Sequence, residues 1–106
     1  MSSTIEVPCR VDYRPADTKE FCEWTGRVDR LSATGCSIQT AHHPEPGARL
    51  ELRIYLPGSA WPIRVQQAEV IWSHWDEFTV EFRSLPIRDQ DQLQHCLMEE
   101  SALAGR

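Results

Sequence analysis

The segment Ala48–Leu56 constrains this chain more than any other. Leu50, Leu52, Ile54 and Leu56 alternate with Arg49, Glu51, Arg53 and Tyr55. A period of two sends one set of side chains to a core and the other to water, which is the pattern of a half-buried strand. A helix would scatter the same leucines around its circumference. Turn chemistry brackets the segment, with Pro44-Glu45-Pro46-Gly47 before it and Pro57-Gly58-Ser59-Ala60 after it. Proline fixes φ and glycine permits positive φ, so both stretches reverse the chain.

The same reasoning extends in both directions. A long strand runs from about Trp61 to Trp72, with an apolar phase of Ile63 and Val65 that shifts to Ala68, Val70 and Trp72. The slip falls at Gln66-Gln67, where one extra residue predicts a β-bulge that bends the strand. Phe78, Val80 and Phe82 alternate on a further strand, reached through a turn at Trp75-Asp76-Glu77. Upstream, Val7–Tyr13 is a strand ended by Pro15, and Trp24–Leu31 is another. Ser32-Ala33-Thr34-Gly35 forms a tight turn, after which Cys36, Ile38 and Thr40 point inward. Six strands with short connections and no helical crossover predict a mainly β, antiparallel barrel or sandwich. The period then changes. Pro86 suits a first helical turn, Asp89 and Asp91 favour the positive helix end, and Leu93, Cys96 and Leu97 make an apolar stripe. A C-terminal α-helix packed on the barrel, or plugging one end of it, follows. The 106 residues fit a single domain over 1–106, with the barrel at about 5–83 and the helix at about 86–100.

Charge and motifs narrow the function classes. With a formal net charge of −5 and one lysine, Lys19, the chain lacks the basic surface that neutralises nucleic-acid phosphates. DNA and RNA are therefore not expected partners, although a few arginines could still hold a small anion. Cys9, Cys22, Cys36 and Cys96 have neither zinc-knuckle nor redox spacing, and Cys36 and Cys96 fall on apolar faces as packing residues. His42 and His43 would point to opposite faces of a strand, and read as loop residues; His74 and His95 read as surface residues. No nucleophile, base and orienting group come together, and no glycine-rich loop precedes a helix. The expectation is a binding domain rather than an enzyme, with no metal and no cofactor. Neither a signal peptide nor a membrane-length apolar run is present, so a cytoplasmic location without membrane contact is expected.

The most informative segment is Gly26-Arg27-Val28-Asp29-Arg30-Leu31-Ser32-Ala33-Thr34-Gly35-Cys36. By residue type it is strand, turn and strand, with Ser32 bonding nearby amides and Gly35 supplying an unusual φ. The arrangement resembles the PilZ domain family, whose second motif is Asp/Asn-x-Ser-x-x-Gly between two strands. Here Arg30, Ser32 and Gly35 occupy the motif places. The likeness also takes in Val7–Val11, Pro46-Gly47 before the leucine strand, Ala68–Trp72, Phe78–Phe82 and the Pro-led helix. It implies a six-stranded antiparallel PilZ-like β-barrel with a C-terminal α-helix.

PilZ domains are commonly receptors for cyclic di-GMP, so the resemblance implies that ligand. It also implies a role as a bacterial signalling adaptor, with a protein partner in motility, pilus or biofilm control. The family's first motif, Arg-x-x-x-Arg, supplies guanidinium groups for phosphates and guanine edges. Arg10 and Arg14 spell that motif but lie inside the first strand; aligning on Val7-Pro8 puts Ser2 and Glu6 at the expected places. Arg30 stands where the family has a hydrogen-bond acceptor, and guanidinium only donates. Asp29 is adjacent, but strict alternation would turn it to the other face. Trp72 falls where relatives often carry an aromatic residue near the base, and it could equally pack in the core or the hairpin. The candidate ligand residues are therefore Arg10, Arg14, Arg30, Ser32, Gly35 and Trp72, with cyclic di-GMP bound weakly or not at all. The alternatives are a degenerate PilZ adaptor acting by protein contacts alone, for which Trp24, Trp61 and Trp75 are candidate patch residues, and a small oligonucleotide-binding barrel.

Overall fold

A computed structural model describes residues 4–5, 9–16, 23–41 and 44–104, with side chains for 9–16, 23–41 and 44–98. Ser2, Glu6, Val7, Pro8, Lys19, Cys22, His42 and His43, all named above, lie outside the described residues. The strands are β1 (Thr4–Ile5), β2 (Cys9–Pro15), β3 (Trp24–Ser32), β4 (Gly35–Gln39), β5 (Arg49–Tyr55), β6 (Ile63–His74) and β7 (Glu77–Ser84), followed by α1 (Ile87–Ala104). All pairings are antiparallel.

The order β3-β2-β5-β6-β7-β4 returns to β3 through a β3–β4 pairing, so six strands close a barrel as expected from the alternation. The short β1 adds to β3 beside its C-terminal end. The ring consists of two three-stranded meanders, β2-β3-β4 and β5-β6-β7, joined along two seams. One seam pairs β2 with β5 and the other pairs β4 with β7. Closure leaves no long unpaired strand edge among these six.

The alternation of β5 works as read: Leu50, Leu52 and Ile54 are buried, while Arg49 and Arg53 are exposed. Val11, Tyr13, Val28, Leu31, Cys36, Ile38, Ile63, Val65, Ala68, Val70, Phe78 and Val80 share the barrel interior. Tyr13 stacks on Trp24 with ring centroids 5.9 Å apart, meets Phe78 edge-on at 5.2 Å, and donates its hydroxyl proton to Thr40 Oγ1 at 3.0 Å. Its ring thus packs deep while its one polar atom stays bonded. Trimming any of the large buried residues to alanine costs about 2–5 kcal/mol.

Helix α1 sits against this core through Leu93 and Leu97. Its first turns are pinned to the β5–β6 end of the barrel: Asp89 Oδ1 accepts the Arg64 amide at 3.0 Å, and the Gln92 side-chain amide donates to Ser59 Oγ and to the Trp61 carbonyl. Among the described residues no helix is long and apolar enough to cross a membrane.

Besides a register shift at Arg83, where Gln67 pairs with Ser84 and Ala68 with Phe82, three bulges shape the outer wall. Leu52 pairs with Val65 but Leu50 pairs with Ala68, so Gln66 and Gln67 together oppose Glu51, as the phase slip predicted. The second lies in β3, where Val28 pairs with Ile38 and Arg30 with Ser37. Asp29 and Arg30 thus share one partner and both lie outside, between the inward residues Val28 and Leu31. This corrects the expectation that Asp29 turns away from Arg30. The third lies in β6, where Val70 pairs with Val80 and Trp72 with Thr79. It reverses the phase before Trp72, so this tryptophan is 47 % exposed beside Ile71 rather than continuing the inward series of Ala68 and Val70.

Candidate functional site

The turn that drew attention in the sequence is held by its own serine. Ser32 Oγ accepts the amides of Thr34 and Gly35, at 3.3 and 3.2 Å, and donates to the Gly35 carbonyl at 3.1 Å. Gly35 is not in the left-handed region; among the described glycines, only Gly47 and Gly58 have positive φ. What position 35 requires is room. A Cβ there would stand 2.2 Å from the Val80 carbonyl oxygen, because β7 presses its backbone against the start of β4. The expected φ requirement is replaced by a close-approach requirement.

Next to this turn the bulges bring a row of side chains together on the outer wall. Arg30 pairs with Ser37, Ser37 with Thr79, and Thr79 with Trp72, so the row crosses β3, β4, β7 and β6. Four strands span about 14 Å at the usual spacing. Ser37 Oγ and Thr79 Oγ1 are 3.1 Å apart in its middle. A bulge stands at either end, adding Asp29 beside Arg30 and Ile71 beside Trp72. The open groove here, of about 260 Å³, is lined by Arg30, Ser32, Thr34, Gly35, Ser37, Ile71, Thr79 and Glu81 among others. Arg83 donates to Glu81 Oε1 at 3.0 Å. Arg30 and Asp29 have no hydrogen-bond or ion-pair partner among the described residues. The indole of Trp72 stacks on the His74 ring, 5.7 Å between centroids and 16° from parallel.

Arg10 and Arg14 occupy a different part of the wall. Both point outward from β2, and each has a carboxylate partner. Arg10 Nε and Nη2 donate to the two oxygens of Asp12 at 3.0 and 2.9 Å, with the guanidinium carbon 5.0 Å from the centre of the Tyr55 ring. Arg14 Nε donates to Glu51 Oε2 at 2.6 Å. Arg14 follows the Tyr13–Trp24 pair at the start of β3, whereas Ser32 ends that nine-residue strand, roughly 26 Å away. Arg10 lies opposite Arg27, about 10 Å along the strand from Arg30. The structure therefore gathers Arg30, Ser32 and Gly35 around one groove, sets Trp72 at the end of the cross-strand row beside the lining residue Ile71, and leaves Arg10 and Arg14 outside the groove. Asp29 was missed as a site residue. Its signal was available as the three-residue interval between the apolar Val28 and Leu31, the same slip that marks Gln66-Gln67.

Residues 4–99 match the family model described as the PilZ domain. The chain belongs to the PilZ domain family. Its barrel superposes on the structure of the Bacillus subtilis inhibitor of motility, MotI/DgrA, with a TM-score of 0.81 at 20% identity, covering 100% of this chain and 53% of that one. The PilZ domain of Escherichia coli YcgR, solved with c-di-GMP, gives 0.69 at 14% identity, covering 97% and 92%. The PilZ domain of CeSA from a cellulose-synthesizing bacterium gives 0.69 at 14%, covering 91% and 95%. At these identities the superpositions establish a shared fold. The chain spans about half the length of MotI. No curated protein sequence matches it significantly.

Proposed function

We propose that this PilZ domain is a cytoplasmic signalling module that binds rather than catalyses, and that the groove from Asp29–Arg30 to Trp72 takes cyclic di-GMP with low affinity. One observation carries the reading: the β3 bulge turns a carboxylate and a guanidinium outward side by side, neither of them engaged. Asp29 can accept the N–H groups of a guanine edge, which Arg30 cannot, and Arg30 can meet a phosphate. Trp72 offers a flat face at the other end of the row. Low affinity follows because Arg10 and Arg14 lie outside this groove, held by their engagement with Asp12 and Glu51, and Ser2 and Glu6 stand where the family's first motif would supply paired guanidiniums.

That engagement also favours a second reading, an adaptor that acts through protein contacts in motility, pilus or biofilm control without cyclic di-GMP. Calorimetric titration separates the two. On the first reading, cyclic di-GMP binds and the affinity falls by about tenfold or more in Asp29→Ala and in Trp72→Ala, which is 1.4 kcal/mol per decade, while Arg14→Ala leaves it unchanged. Absence of heat with the unmodified protein at high concentration leaves the adaptor.

A further inference from the structure

On the other side of the barrel the wall of β2, β5 and β6 has an electrostatic peculiarity of its own. Arg53 and Arg64 are direct cross-strand partners. Like charges in that relation repel. Neither guanidinium has a hydrogen-bond or ion-pair partner among the described residues. Both line a small cleft of about 80 Å³ together with Arg14 and Glu51. Arg10 and Arg27, one strand further round, form a second pair of directly opposed arginines. Five of the chain's arginines thus share one wall of a protein whose net charge is −5.

Nothing in the fold requires this. The outer faces of β5 and β6 would pair as well, and more stably, with a carboxylate at either position. The neighbouring arginines have been given acids: Asp12 lies under Arg10, and Glu51 under Arg14. Arg53 also faces Asp12 across the β2–β5 pairing, but that carboxylate is held by Arg10 and Thr25, and no ion pair reaches Arg53 or Arg64 among the described residues. Two guanidiniums on adjacent strands can converge on a single oxyanion, each donating in its planar fork. The cleft is small enough to suit a carboxylate or phosphate group.

We propose that the Arg53–Arg64 cleft is a docking point for an acidic segment of a partner protein, with one Asp or Glu carboxylate held between the two guanidiniums. The chemistry on the wall selects this occupant. Asp12, Glu23 and Glu51 line the same cleft, the first held by Arg10 and the last by Arg14, and with the overall acidity they oppose an extended polyanion such as nucleic acid or an anionic membrane. A carboxylate on a flexible peptide reaches the arginines between those acids. The cleft lies across the β2–β5 seam, away from the Trp72 groove, so the proposal does not depend on cyclic di-GMP binding.

The test is an NMR titration of the 15N-labelled protein with a capped, glutamate-rich peptide, its glutamine counterpart, inorganic phosphate and cyclic di-GMP. The expected result is a saturable shift of the amides of Arg53, Arg64 and Arg14 with the acidic peptide alone, weakening as salt is raised. The double variant Arg53→Gln/Arg64→Gln should abolish the shift. Its melting temperature should match or exceed that of the parent, because a repulsion has been removed. Four outcomes would overturn the proposal: no saturable shift at millimolar peptide, shifts that persist in the double variant, equal response to the glutamine peptide, or tighter binding of inorganic phosphate at the same amides. A melting temperature lowered in the double variant would assign the pair a structural role and overturn it as well. Cyclic di-GMP should leave these amides unmoved whether or not it binds in its own groove.

Discussion

Arg10 grips both carboxylate oxygens of Asp12, a residue that faces outward yet is only 5 % exposed. Thr25 Oγ1 donates a further hydrogen bond, 2.9 Å long, to Asp12 Oδ1. Burial alone would raise the pKa of Asp12, but the hydrogen bonds from Arg10 and Thr25 and the charge of Arg10 outweigh it and hold the carboxyl below its ordinary value. A carboxyl depressed in the folded state contributes stability above its unfolded pKa of about 3.9 and loses it as pH falls through the folded value. Arg10→Ala should therefore lower stability at pH 7. The deficit should shrink as pH is lowered below about 4, where the parent loses the same interaction. Urea melts of both proteins at pH 7 and pH 3 measure it.

Gly35→Ala should be among the most damaging single-methyl additions in the chain. The new Cβ meets a carbonyl oxygen of β7 at 2.2 Å, and backbone cannot swing aside as a side chain would. A cost of about 3 kcal/mol, at the upper end for overpacking, is expected in denaturant melts. Ser32→Ala removes the turn's internal hydrogen bonds without a clash and should cost about 1 kcal/mol.

Trp75 holds φ at 50°, the left-handed region that burdens a bulky residue. Its ring is 79 % exposed and meets His74 edge-on at 6.0 Å. Trp75→Gly should raise stability by about 1 kcal/mol, visible as a melting temperature higher by about 5 °C. A fall would mean that the contact with His74 outweighs the backbone strain.

The thiols of Cys9 and Cys36 should resist alkylation. Burial, with Cys96 nearby, pushes the Cys9 thiol up to about 11, and burial raises Cys36 further still. Thiolate is the reactive form, so at pH 8 iodoacetamide should modify these two positions only after unfolding, as peptide mass mapping would report. A thiol raised in the folded state contributes stability below its unfolded pKa of about 8.5 and loses it as pH rises toward the folded value. The fold should weaken between about pH 9 and 11.

Much of the barrel was legible because its strands carry their facing in the sequence. Leu50 to Ile54, and the slip at Gln66-Gln67, gave both strand direction and bulge. Trp72 misled because an indole is apolar enough to continue an inward series, and only the register against Thr79 decides its face. Asp29 was misplaced for a related reason: alternation was carried through a bulge. Gly35 looked like a turn glycine since sequence carries no trace of Val80, 45 residues on, pressing against it. The Arg10–Arg14 spacing correctly put two arginines on one face, yet their distance from Ser32 depends on strand register, which spacing does not encode.

The two seams give both grooves a property beyond recognition. Each meander can form from neighbours in sequence, but the pairings β2–β5 and β4–β7 join distant segments and must wait for large loops to close. The Trp72 groove lies over one of these junctions and the Arg53–Arg64 cleft over the other. A molecule held in either would act as a rivet between halves of the barrel, and its presence would register as slower opening of the protein as well as in its affinity.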